Sequence, residues 1–284
     1  VDGLAVVDKP AGWTSHDVVG RSRRIFGQRR VGHAGTLDPD ATGVLVLGLG
    51  RATRLLKYLT GLSKTYVGEV VLGVSTSTLD SAGEVTGVYD MSGVSLADVA
   101  EAAARFVGEI EQVPPMVSAV KVGGRRLHEL ARAGIEVERS PRRVTVTRYD
   151  VAPTDDPLVF TVEVDCSSGT YVRTLAADLG TSLGGGAHLR RLRRTAVGSF
   201  GLADAVPLET LGREHVLAPV EALRGYPVEA VDADVAATVA HGAVLDKLWD
   251  GDGPWAVVDG DGGLLAVYEL RPDGRVKPSV VMAG

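Results

Sequence analysis

Twelve residues, Gly32-His33-Ala34-Gly35-Thr36-Leu37-Asp38-Pro39-Asp40-Ala41-Thr42-Gly43, limit what this chain can build more than any other stretch. Their three glycines supply positive φ or close backbone approach at fixed places. Pro39 locks its own φ and pushes Asp38 toward an extended conformation. An apolar run, Val44-Leu45-Val46-Leu47, follows at once and reads as a strand. Asp38 is then presented by a stiff loop anchored on a buried strand. That mount suits a reacting group. It equally describes a polar turn whose Asp bonds nearby backbone N–H groups.

With 284 residues, 45% of them apolar, the chain has the material for one large domain and a small one. Its single cysteine, Cys166, excludes an internal disulfide framework and a multi-cysteine zinc site. It lies in a strand-like run, where a buried inert thiol is expected. No apolar run approaches the roughly 18 residues that would span a membrane. No basic-then-apolar leader opens the chain, and the first residue is not Met, as expected of numbering that starts inside the native product. These features point to a cytoplasmic protein.

The net charge of −6 speaks against a nucleic-acid partner until its distribution is read. Residues 201–284 hold 14 Asp/Glu against 6 Lys/Arg, leaving 22 acidic and 24 basic residues in 1–200. Arg21, Arg23, Arg24, Arg29 and Arg30 fall within ten residues that contain no acid. Lys121 to Arg148 carries eight basic residues against three Glu, and Arg190, Arg191, Arg193 and Arg194 form a third cluster. Charge runs are often solvated faces. Three arginine-dominated clusters point instead to a polyanion site, because guanidinium groups fit phosphate bidentately.

Patterning predicts strands over 4–8, 44–49, 66–74, 144–151 and 158–166. It predicts helices over 16–26 behind a Thr14-Ser15-His16-Asp17 cap, over 51–62, from Ser95 to about Val107, and over about 170–183. Residues 75–87 read as a polar loop. Residues 111–143 form an irregular basic insertion with Pro114-Pro115, Gly123-Gly124 and a short helix near 127–133. Strands mixed with helices, without βαβ regularity, indicate an α+β fold around a mixed, mainly antiparallel sheet. Prolines around 207–226 mark a boundary. Residues 227–284, with strands at 255–258 and 264–270, read as a small β-rich module.

Arg173 stands in the first turn of the helix after Gly169-Thr170-Tyr171. A cation there opposes the helix dipole at a cost of a few tenths to ~1 kcal/mol. It is either a solvated surface residue or the partner of an anion, for which Asp38 is the candidate. Tyr66 and Tyr171 each sit at the edge of a regular element, as core residues or as platforms for an unpaired base. There is no Walker loop, no GxGxxG after a strand, no GxSxG elbow and no HxxxH or HExxH spacing, so no metal site is expected.

Taken in order, seven motifs resemble the TruB family of tRNA pseudouridine synthases. The loop 32–43 resembles the family's catalytic loop. Asp8-Lys9-Pro10-x-Gly12-x-Thr14-Ser15 resembles its N-terminal motif, and Ser63-Lys64-Thr65-Tyr66 the strand with a base-stacking tyrosine. Asp80 with Gly83-Glu84 resembles the acidic loop that follows. Pro114-Pro115 through Gly134 resembles the RNA-gripping thumb, Gly169-Thr170-Tyr171-Val172-Arg173 the motif of the pairing arginine, and His188 to Arg194 the pocket wall. Where the thumb would carry a tyrosine, this chain has His128.

The resemblance implies a catalytic domain over 1–226, with the thumb at about 111–143, and a PUA-like module over 227–284. It implies isomerisation of uridine 55 in the T arm of tRNA, by base flipping, glycosidic bond cleavage and reattachment through carbon. Asp38 would be the catalytic residue, attacking the sugar, attacking the ring or abstracting a proton. Arg173 would pair with it, His33 would fill the space left by the flipped base, Tyr66 would stack on the uracil, and Tyr171 and Leu192 would line its pocket. Lys9 would support the loop, and Lys64 and Asp80 belong to the same substrate-binding set. No cofactor and no obligatory protein partner are implied, and a monomer is expected. A tRNA chaperone and the catalytic subunit of a guide-RNA particle are the rival readings.

Overall fold

The computed structural model describes residues 1–116, 121–122, 125–126, 137, 139–247 and 249–282. In chain order the strands are β1 (Gly3–Lys9), β2 (Val31–His33), β3 (Thr42–Leu49), β4 (Lys64–Leu72), β5 (Val74–Thr76), β6 (Val85–Val88), β7 (Gly108–Gln112), β8 (Lys121–Val122), β9 (Arg125–Arg126), β10 (Arg142–Pro153), β11 (Val159–Cys166), β12 (Ala187–Val197), β13 (Phe200–Gly201), β14 (Val206–Pro207), β15 (Val228–Ala230), β16 (Trp255–Val258), β17 (Leu264–Leu270) and β18 (Val276–Val281). The α-helices are α1 (Ser15–Phe26), α2 (Leu56–Thr60), α3 (Leu96–Ala104), α4 (Val172–Ser182) and α5 (Ala233–Ala240). The mixed α+β class expected from the sequence is the class observed. The short helix expected over 127–133, and His128, lie outside the described residues.

The chain divides into two compact units: Val1–Pro39, Gly43–Gly61 and Gly198–Gly284 in the first, Asp40–Thr42 and Leu62–Val197 in the second. In the first unit, β3 pairs antiparallel with β1 and with β2, and β1 pairs parallel with β14. Ala5, Val7, Leu45, Leu47 and Leu49 share a core with Val18, Val19 and Phe26 of α1. Helix α1 starts where Thr14 and Asp17 form a reciprocal capping box, and it ends at Gly27 with φ of 63°. Its buried positions Val18, Val19, Ser22 and Phe26 follow the helical repeat, which leaves its arginines outward.

The predicted 51–62 helix is split: a 3₁₀ segment, Gly50–Leu55, leads into α2. Residues 227–284 form their own four-stranded sheet, β15-β16-β17-β18, over Trp255, Val257, Ala266, Tyr268 and Val276, with α5 laid on it. This sheet is fastened to the α2 segment. Arg51 and Arg54 donate to the carbonyls of Met282 and Val281 (2.7 and 3.0 Å), and the Tyr58 hydroxyl donates to Glu269 (3.0 Å).

In the second unit the strands run β12-β4-β11-β10-β7, all antiparallel. Helix α3 packs on β10 and α4 on β12. Strand β4 alternates cleanly, with Lys64, Tyr66, Gly68, Val70 and Leu72 on the buried face. Cys166 is buried opposite Lys64, and burial pushes its thiol up to about 11, as befits an inert side chain. Residues 75–87, expected as a loop, hold the hairpin β5–β6. Its strands are short and the valines of β6 are exposed, so that strand carries no burial pattern. No helix among the described residues is long and apolar enough to cross a membrane.

Candidate active site

Asp38, Lys9 and His33 belong to the first unit. The loop holding Asp38 is fixed at both of its neighbours. The Leu37 N–H donates to the Ser15 hydroxyl oxygen (2.9 Å), and that hydroxyl donates to the Leu37 carbonyl (3.3 Å). The Pro39 carbonyl accepts from the Gly12 N–H (2.9 Å) and from the Lys9 ammonium (2.8 Å). Lys9 is fully buried, and its ammonium also donates to the carbonyls of Pro10 and Trp13. A buried ammonium is tolerated only where such acceptors replace water. Farther back, the Ala34 N–H donates to Val46 of β3 (2.9 Å). Gly35 and Gly43 adopt φ of 96° and 101°, the left-handed backbone that glycine alone adopts cheaply. The side chain of Asp38 sits half-buried between these anchors. His33 lies edge-on to His16 with ring centroids 5.7 Å apart.

The second unit contains Tyr66, Lys64, Asp80, Tyr171, Arg173 and Leu192. Strand register places Gly68 opposite Leu192 and Tyr66 opposite Arg194. A side chain at Gly68 would stand 2.9 Å from the Arg191 carbonyl and 3.4 Å from Leu192. The glycine therefore lets β12 come close, and it puts Leu192 on the same face as Tyr66. Lys64 is buried two residues earlier and donates to the Leu62 carbonyl (2.6 Å). Burial, followed by the charge of Arg194, lowers its pKa to about 8, and Cys166 offsets part of this.

Arg173 is buried in the first turn of α4, and within its own unit it meets an anion, Asp80, at 3.3 Å. Asp80 is itself held. Its other carboxylate oxygen accepts from the Thr78 hydroxyl (2.5 Å) and the Ala82 N–H (3.1 Å), and its carbonyl accepts from Thr76 (2.6 Å). The residue before it, Leu79, has φ of 65°, a strained conformation for leucine. Two backbone hydrogen bonds to Leu189 dock this loop on β12. The charge that opposes the α4 dipole is thus compensated by a carboxylate on a fixed loop. The spacing of 93 residues gave no sign of that pair.

The structure also separates the three arginine clusters. Arg21, Arg23, Arg24, Arg29 and Arg30 are all exposed, and among the described residues none of them meets an acid at ion-pair distance. Arg190 and Arg191 instead pair with Glu69 at 2.8 and 3.7 Å, Arg193 donates to Thr42, and Arg194 is buried. Arg148 sits among Asp150, Glu163 and Asp165. The α1 cluster is therefore open, as are Arg142 and Arg143 of the middle cluster, whose Arg132 lies outside the described residues. Two residues to which the sequence assigned no role at the site emerge here: Ser15, read as part of a helix cap and of the N-terminal motif, and Gln112, which bonds the backbone of Tyr171.

Two family models match adjoining parts of the chain: TruB family pseudouridylate synthase (N terminal domain) over residues 23–172, and tRNA pseudouridylate synthase B C-terminal domain over 173–226. The tRNA pseudouridine synthase B of Mycobacterium sp. (strain KMS) is 47% identical over 286 residues, covering 99% of this chain and 96% of that protein. Its namesake in Symbiobacterium thermophilum is 52% identical over 247 residues (85% and 82%), and that of Thermobifida fusca 47% over 292 residues (100% and 99%). Among solved structures, an H/ACA RNP bound to a substrate RNA containing 2'-deoxyuridine shares the fold with a TM-score of 0.75 at 23% identity, covering 99% of this chain and 85% of that one. A Cbf5-Nop10-Gar1 complex matches with a TM-score of 0.74 at 26% identity, covering 99% and 84%. The chain belongs to the TruB family of tRNA pseudouridine synthases, isomerases that convert uridine in tRNA to pseudouridine.

Proposed function

We propose that this chain isomerises uridine 55 in the T arm of tRNA, with Asp38 as the reacting carboxylate. The observation that carries this reading is the double anchoring of its loop, in which Leu37 and Pro39 are held by Ser15, Gly12 and the buried Lys9. An ordinary polar turn needs no such anchors. Holding the neighbours of one carboxylate fixes where it stands before the substrate arrives, which lowers the entropic part of a barrier.

In the reaction the N1–C1′ bond breaks and a C5–C1′ bond forms. The hydrogen on C5 leaves as a proton, N1 takes one up, and no electrons are exchanged with another reagent. A carboxylate serves such a sequence as nucleophile or as base. Arg173 is assigned to the substrate-binding set, as a cation of the kind that favours the ionised form of a carboxylate it pairs with. Tyr66 stacks on the extruded uracil, Tyr171 and Leu192 line the pocket, and His33 fills the gap left in the RNA. Lys64 and Asp80 belong to the same binding set.

Flipping a base out of a folded arm costs a few kcal/mol. Phosphate contacts by the open arginines of α1 offset that cost. Residues 1–226 act as the catalytic domain. Residues 227–284, acidic overall and fastened to the α2 segment, act as a PUA-like brace.

The chain works in the cytoplasm as a monomer, without an obligatory protein partner. Its full-length likeness to tRNA pseudouridine synthase B of several bacteria supports a stand-alone enzyme over the subunit of a guide-RNA particle. Purified protein given a bare T-arm stem-loop is expected to form pseudouridine at the position equivalent to 55. Turnover that appears only after a guide RNA is added would overturn this reading, and RNA remodelling without turnover would favour a chaperone.

A further inference from the structure

Helix α4 carries Arg173 in its first turn and takes Tyr171 as its N-cap, yet it lacks the usual device for starting a helix. Tyr171 makes no side-chain cap, and the first turn holds no acid. The backbone of Tyr171 is instead gripped by another part of the chain. The Tyr171 N–H donates to Oε1 of Gln112 (2.9 Å), and Nε2 of Gln112 donates to the Tyr171 carbonyl (3.1 Å). Gln112 is only 2% exposed. Its primary amide therefore pairs with both main-chain groups of one residue as a neighbouring strand would, satisfying a donor and an acceptor together.

Gln112 is also the last residue of β7, in register with Arg142, the first residue of β10. The basic insertion runs between these two points. Nearby, Arg139 donates to the Pro114 carbonyl (2.9 Å). The side chain that holds the start of α4 thus stands where the insertion leaves the sheet.

We propose that Gln112 is a positioning residue of the isomerisation. It holds Tyr171 and Arg173 in place and ties them to the root of the basic insertion. The inference rests on the roles given to these two residues under Proposed function. Chemistry selects glutamine: an ionised carboxylate lacks the donor, an apolar side chain lacks both groups, and asparagine is one methylene short. Without Gln112 the Tyr171 N–H loses its acceptor, whereas the Tyr171 carbonyl keeps the first helical bonds from Thr174 and Leu175 (both 3.1 Å).

The test uses the full chain and a T-arm stem-loop, and measures kcat, RNA Kd and Tm for wild type, Gln112→Met and Gln112→Glu. Wild-type turnover checks the functional reading first; if it is absent, that reading fails and not the role of Gln112. With wild type active, Gln112→Met is expected to lower kcat at least ~10-fold, with Kd within about 2-fold, at temperatures well below its Tm. Gln112→Glu is expected to work best at low pH, where a protonated carboxyl can still donate to the Tyr171 carbonyl, and to lose activity as it ionises. A kcat within about 2-fold of wild type in Gln112→Met, or a Gln112→Glu pH profile parallel to wild type, would overturn the proposal. Should Gln112→Met not fold, the pH profile of Gln112→Glu decides alone.

Discussion

Lys9 and Lys64 are both buried, and the fold treats their charges differently. The ammonium of Lys9 meets the carbonyls of Pro10, Trp13 and Pro39, so its charge is used to hold a loop. Lys64 lies on the apolar face of β4 near a second cation, Arg194, and its pKa falls to about 8 from 10.5. The sign of its effect on stability follows. Below pH 8 the lysine is charged in both the folded and unfolded states, and folding carries the full cost of burying that charge. Between pH 8 and 10.5 the folded state has released the proton while the unfolded state keeps it, so stability rises with pH. Lys64→Met removes this titration. Its Tm relative to wild type should therefore be more favourable at about pH 7 than at about pH 10, as scanning calorimetry at the two pH values would show. An equal difference at both would mean that Lys64 titrates as an ordinary lysine.

At the scale of elements, α1 joins two tasks. Its first residues, Ser15 and His16, touch the loop of Asp38 and the ring of His33. Its far end and the turn beyond it present Arg21, Arg24, Arg29 and Arg30 outward without acidic partners among the described residues. Ser15 to Arg24 spans about 14 Å at roughly 1.5 Å per residue, far enough to meet phosphates beyond a flipped nucleotide. Replacing these four arginines by glutamine should weaken RNA binding and flatten its dependence on salt, by about one unit of log Kd per log salt for each phosphate that is no longer neutralised. The same change at Arg190 and Arg191, which already pair with Glu69, should alter the slope less. Equal slopes for wild type and the α1 variant would remove this surface from the interface.

Helix α1 was legible because a cap, an apolar repeat and a glycine stop all agree locally. The β5–β6 hairpin was not. Val85 and Val88 are exposed, so no alternation marks their strand.

Over the whole molecule, what could be read from sequence is what local pattern and motif order encode. This includes the α+β class, the strands at 255–258 and 264–270, and the loop that presents Asp38. What could not be read is pairing across distance. Ser15 finds Leu37 across 22 residues, Gln112 finds Tyr171 across 59, and Arg173 finds Asp80 across 93. Periodicity describes which face a residue takes and carries nothing about its partner. The arginine clusters show the same limit. Three looked alike as sequence, and only packing distinguishes the exposed arginines of α1 from Arg190, Arg191 and Arg194, which are paired or buried.

All of these devices serve one claim, that Asp38 reacts. Its most direct test is the rate of pseudouridine formation at position 55 of tRNA by wild type and Asp38→Asn, measured beside the RNA Kd of each. The rate of the variant is expected to be lower by roughly 10³-fold or more, with Kd nearly unchanged. A variant that forms pseudouridine at the wild-type rate would contradict it.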